Sequence, residues 1–173
     1  MMKDTESWKE LYERYAKRML HVCMRYSPDK ETAQDMMHDG FIQVFKSLDK
    51  FSDRGEGSVR AWMERIMINT CLQHIRKRDL LRESNTLKEN LPVTIENSVD
   101  AAVERVPEEV LLRFLQELPV GYRTVFNLYV FEGLSHKDIS KTLGIREKSS
   151  SSQLYRAKCL LAKQITEYER KQQ

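Results

Sequence analysis

The chain has 173 residues, room for one ordinary domain or two small ones, and 40% are hydrophobic, enough to bury real cores. With 32% charged residues, a mean hydropathy of −0.60 and only 6 Gly and 4 Pro, it reads as an all-α protein rather than a turn-dense sheet protein. The opening MMKDTESWKELYERY is charged where a secretory signal has an apolar core, and no run approaches the ~20 apolar residues of a membrane span, so a cytoplasmic chain without membrane insertion is expected.

The net charge of +3 is unevenly spread. Residues 60–82 carry six basic and two acidic side chains, residues 146–173 seven basic and three acidic, and residues 83–119 between them three basic and eight acidic. Two cationic segments flanking an acidic one suggest two separate contacts with a polyanion.

In chain order, helix-period apolar patterns cover 7–48 and 59–82, then 109–118, 122–131, 136–143 and 147–168, and no convincing strand occurs. Within TAQDMMHDGFIQVFKSL the pattern places Met37, Phe41, Val44, Phe45 and Leu48 inside, and Thr32, Asp35, Met36, Asp39, Gln43 and Lys46 outside. Carboxylates and amides around an exposed apolar side chain suit a protein partner better than DNA. Gly40 costs this helix about 1 kcal/mol relative to alanine, which close approach of a neighbour would justify.

The loop FSDRGEGSVRAW follows, with two glycines and alternating charge. It leads into a helix with Met63, Met67, Ile68, Cys71, Leu72 and Ile75 on a core face. On the other side Trp62, Arg65, Asn69, Gln73 and Arg76 recur at spacings of three and four, continued by Lys77 and Arg78. Aromatic, amide and guanidinium groups on one strip can stack on an unpaired base, hydrogen-bond its edge and hold its phosphate. The periodicity lapses over 83–106, where Pro92, scattered Asn and Ser and excess acid read as a linker.

Beyond the linker, Ser135 can cap a helix with Asp138 answering it, Gly144 supplies a sharp turn, and a further helix starts near Glu147, which is helix-turn-helix spacing. Ser150, Leu154, Ala157, Leu161 and Ile165 form its core stripe. The opposite stripe holds Lys148, Ser149, Ser152, Arg156 and Lys163. The run Ser149–Ser152 is therefore read as a helical surface short enough to enter a groove, where Ser and Gln153 address bases or phosphates and Arg156, Lys158 and Lys163 neutralise the backbone.

Cys23, Cys71 and Cys159 are widely separated and read as reduced packing residues. The four histidines are scattered, and no nucleophile, metal cluster or phosphate-cradling glycine loop accompanies them. No enzymatic activity, catalytic residue, metal or cofactor is expected.

Together LYERYAKRML, AQDMMHDGFIQVFKSLDKF and AWMERIMINTCLQHIRKR resemble the second conserved region of bacterial RNA polymerase sigma factors of the extracytoplasmic-function (ECF) group, in the sigma-70 family. LPVGYRTVFNLYVFEGLSHKDISKTLGI resembles the fourth. The resemblance implies a region 2 helical bundle over 1–82, an acidic linker over 83–107 and a region 4 helix-turn-helix over 108–173. It implies that Asp35, Asp39, Phe41 and Gln43 dock on the clamp helices of the polymerase largest subunit, with the flap as a further contact. The loop 52–58 would capture a flipped minus-10 base; Trp62, Arg65, Asn69, Gln73, Arg76 and Lys77 would lie along the melted strand. Lys148, Ser149, Ser152, Gln153, Arg156 and Lys158 would read the minus-35 element as duplex. An anti-sigma factor is implied as a further partner, and the missing aromatic-rich melting region implies narrow promoter choice. Arg146 stands where the recognition helix usually has a Ser cap, and Gln73 where many relatives carry Asp.

Overall fold

The computed structural model describes residues 5–77 and 102–173, with side chains from residue 8 onward, and the described residues contain helices and no strand. The chain forms two compact units, Met1–Asp79 and Leu80–Gln173.

In the first unit, α1 (Thr5–Tyr26), α2 (Lys30–Ser47) and α3 (Ser58–Lys77) each pack on the other two. The expected helical stretch 7–48 is in fact two helices, broken at Ser27-Pro28-Asp29. Pro28 cannot donate a helical hydrogen bond, and Asp29, extended at φ −155°, caps α2 by accepting from the Thr32 amide at 2.7 Å. The buried Ser27 hydroxyl donates to the Asp29 carbonyl at 2.9 Å and fixes the corner.

Met19, Cys23, Tyr26, Val44, Met63, Met67, Cys71 and Ile75 fill the space between the three helices. The cysteines are free and buried; the Cys23 sulfur, hydrogen-bonded to it, and burial together push the Cys71 thiol well up, so it stays a neutral packing group. Gly40 is buried against α3, where an added Cβ would fall on the Met67 sulfur. The close approach anticipated for this glycine is therefore present.

In the second unit, α4 (Glu108–Glu117) and α5 (Val120–Phe126) are followed by a π-helical turn over Asn127–Phe131, then α6 (His136–Leu143) and the long α7 (Glu147–Gln172). The buried guanidinium of Arg123 donates to the carbonyls of Gln116 (2.8 Å) and Leu118 (3.2 Å), closing the α4–α5 corner. The single helix anticipated over 122–131 widens at Asn127, whose carbonyl accepts from the Glu132 amide five residues on. Leu115, Leu118, Tyr122 and Ala157 form one core cluster; Phe114, Ile165, Ala102 and Val106 form another.

The linker expected over 83–107 lies outside the described residues as far as 101. Its last part is corrected: Ala102 and Val106 are 4% and 6% exposed and belong to the second core, and Arg105 pairs with Glu169 at 2.6 Å.

Candidate polymerase and nucleic-acid interfaces

On α2, Asp35, Asp39 and Gln43 face outward, and two expectations for this helix are corrected. Met36, expected outside, is 3% exposed, and Phe41, expected to touch the polymerase, is 2% exposed. The Phe41 ring packs against Tyr12 (centroids 4.7 Å apart) and Phe45 (5.8 Å), so it supports the helix from beneath. Because α2 lies against both α1 and α3, its buried arc is wider than a single-sided stripe predicts. The exposed apolar residue of this face is instead Ile42, at 46%.

Asp39 also has a partner that sequence spacing could not supply. Its Oδ2 lies 2.7 Å from Nε2 of His74, 35 residues away on α3. The acidic face of α2 thus borders the strip on α3 directly.

That strip is assembled largely as anticipated. Arg65, Asn69, Gln73, Arg76 and Lys77 are exposed along α3, while Trp62 is half-buried, its ring 4.8 Å from Phe51 at the start of the strip. Arg78, the end of the basic run, lies outside the described residues. The loop before α3 is internally bonded: Asp53 Oδ1 accepts from the Gly55 amide (3.0 Å) and the Ser58 hydroxyl (2.8 Å). These bonds, the Ser58 one first, hold the Asp53 carboxyl below its usual range, so the carboxylate that organises the loop is charged at neutral pH. Gly55 and Gly57, at φ 106° and 81°, occupy backbone that side-chain-bearing residues seldom adopt.

The helix-turn-helix forms from the residues anticipated. Ser135 Oγ accepts from the Asp138 amide at 3.1 Å and bonds its carboxylate at 2.8 Å. Gly144, at φ 67°, closes α6 in the left-handed conformation. The buried Ser150 hydroxyl meets Nδ1 of His136 at 2.8 Å, joining α7 to the start of α6. Arg146 occupies the N-cap of α7 and makes no side-chain cap hydrogen bond, as its departure from Ser led one to expect.

Along the first turns of α7 a groove of about 360 Å³ is lined by Lys148, Ser149, Ser152, Gln153 and Arg156 together with Tyr122 and Arg146. Five of the six predicted minus-35 residues are thereby brought together. Lys158 is not among them: two positions beyond Arg156 is about 200° around a helix, and its Nζ lies 5.9 Å from the Tyr129 ring centre instead. Tyr122 and Arg146 were missed. The basic character of Arg146 was visible in sequence, but nothing announces that the side chains of Tyr122 and Arg156, 34 positions apart, meet.

Among the described residues no three His, Cys, Asp or Glu side chains gather as a metal-holding group. None of their helices is long and apolar enough to cross a membrane.

The sigma-70 region 2 family matches residues 11–80 and the sigma-70 region 4 family matches residues 108–161. The chain is 29% identical over 168 residues to the RNA polymerase sigma factor YlaC of Bacillus subtilis, covering 95% of each protein. It is 28% identical over 164 residues to the RNA polymerase sigma-H factor of Pseudomonas aeruginosa, covering 90% of this chain and 84% of that one. To the ECF RNA polymerase sigma factor SigE of Mycolicibacterium smegmatis it is 29% identical over 161 residues, 88% of this chain but only 59% of that protein's length. Among solved structures, the sigma factor RpoE from Bartonella quintana, crystallised in complex with the anti-sigma factor NepR, matches with a TM-score of 0.52 at 16% identity. That match covers 94% of this chain and 98% of the other, and it speaks to the fold alone. The chain belongs to the ECF group of the sigma-70 family, the factors that direct RNA polymerase to promoters and start transcription.

Proposed function

We propose that the chain performs initiation through three surfaces, the first two adjoining on α2 and α3, acting by binding alone and in the cytoplasm. Asp35, Asp39 and Gln43, with Ile42 in the apolar place first given to Phe41, form the docking face for the clamp helices of core polymerase. Trp62, Arg65, Asn69, Gln73, Arg76 and Lys77 follow the unpaired minus-10 strand, with the loop over residues 52–58 receiving a flipped base. Lys148, Ser149, Ser152, Gln153 and Arg156 read the minus-35 duplex, and Arg146 adds a phosphate contact. The flap is a second polymerase contact. An anti-sigma factor, such as the partner of the Bartonella quintana relative, inhibits by covering these surfaces.

The observation that most supports this reading is the groove on α7. Its lining holds three cations, Arg146, Lys148 and Arg156, with Ser149, Ser152 and Gln153 among them and no carboxylate. Cations hold the sugar-phosphate backbone and short polar side chains reach the base edges between them. Strand opening needs no chemical step, because binding energy to bases already unpaired favours the open state.

Salt titration tests the groove. Phosphate contacts by Arg146 and Lys148 imply that affinity for duplex falls roughly 12-fold between 50 and 200 mM salt. Fluorescence anisotropy of the free chain on a labelled minus-35 duplex would show this, and an Arg146→Ala variant would show a shallower slope by about one unit. A flat response would remove the groove from the DNA-binding surface.

A further inference from the structure

Of the groove residues on α7, Arg156 has a side chain held from another helix. Tyr122, on α5, is 3% exposed, with its ring in the cluster of Leu115, Leu118 and Ala157. Its hydroxyl nevertheless opens on the groove, where Arg156 Nη1 donates to it at 3.2 Å. The ring is locked by packing, so the oxygen is a fixed point beside the exposed side chains of α7. An arginine tied at one N–H to such a point has its guanidinium plane set before any ligand arrives.

We propose that Tyr122 is a positioning residue for sequence readout: its phenol oxygen orients Arg156 so that the guanidinium meets a base edge rather than sliding onto the nearest phosphate. The inference rests on the assignment of the α7 groove to duplex DNA. An arginine reads guanine by presenting two parallel N–H donors to O6 and N7, which requires a defined plane, whereas a phosphate accepts it from many directions. Freezing a long side chain beforehand spares the freezing cost on binding, which corresponds to about two- to tenfold in affinity. The benefit falls on the specific complex alone, since nonspecific binding makes no use of the plane.

The test is a double-mutant cycle on the full chain, with a duplex selected from a random-sequence library by wild-type holoenzyme and an unrelated duplex as control. Tyr122→Phe keeps the ring, so the fold should melt within a few degrees of wild type. It is expected to weaken binding to the selected duplex two- to tenfold, leave the unrelated duplex unchanged, and add no further loss in an Arg156→Ala background. Equal losses from Tyr122→Phe with and without Arg156 would overturn the inference, as would a Tyr122→Phe variant that discriminates like wild type while Arg156→Ala does not. Should Arg156→Ala itself bind the selected duplex normally, the groove assignment falls and the inference with it.

Discussion

Asp39→Arg is expected to abolish capture of core RNA polymerase while leaving the chain folded. Asp39 sits at the centre of the outward face of α2, between Asp35 and Gln43, with Ile42 beside it. Replacing an acceptor there by a long cation removes its hydrogen bonds and sets like charge against any basic group that the acid had met. Such a juxtaposition costs several kcal/mol at an interface, a loss on the order of 100-fold or more. The intramolecular cost is small. The Asp39 side chain is 56% exposed, and solvent screening holds its pairing with His74 to about 1 kcal/mol or less. Co-purification with tagged core enzyme, alongside a circular dichroism melt, separates the two effects. A variant that still co-purifies would remove α2 from the docking surface.

Phe41→Ala should act in the opposite way. Emptying a site that is 2% exposed and bounded by Tyr12 and Phe45 leaves a cavity, and such truncations cost about 3 to 5 kcal/mol. For a helical unit of this size the melting midpoint of the N-terminal unit should fall by more than about 10 °C. Ile42→Ala is the matching surface change: it should leave the melt unchanged and weaken polymerase binding. If Phe41→Ala melted normally yet failed to bind polymerase, the ring would have to be turned outward, against the packing seen here.

The contrast between Phe41 and Ile42 shows what the sequence could and could not reveal. Helical periodicity located α1 to α7 and the core stripes of α3 and α7, because those faces each repeat at three and four residues, but it missed the helical residues 102–103, which fell in the expected linker. It misjudged Met36 on α2, which two neighbours cover so that only a narrow arc remains for a partner; Phe41 it placed inside, where the ring lies, and only the family resemblance put that residue at the polymerase. The break at Pro28 was written in the chain as a proline followed by a capping aspartate. The π-turn at Asn127 has no comparable residue signature: the buried Asn127 amide donates to the Arg123 carbonyl one turn back at 2.8 Å, a bond an ordinary helix could also hold.

Site residues follow the same rule. Those that share a face of one helix, such as Ser149, Ser152, Gln153 and Arg156, were legible from spacing. Those that meet across helices, His74 with Asp39 and Tyr122 with Arg156, are 35 and 34 residues apart and become neighbours only through packing. Lys158 failed for a simpler reason: basic residues close in sequence were grouped although a helix turns them to opposite sides. The serine run, whose composition suggests a tether, is helical throughout, with Ser150 wholly buried against His136 and the others left half-buried or exposed.

The most direct measurement is transcription by purified core polymerase on a library of promoter fragments, with and without the chain. New transcripts from a narrow set of templates should appear only when the chain is added, and should disappear with the Asp39→Arg variant. Identical transcripts in the presence and absence of the chain on every template would contradict the account.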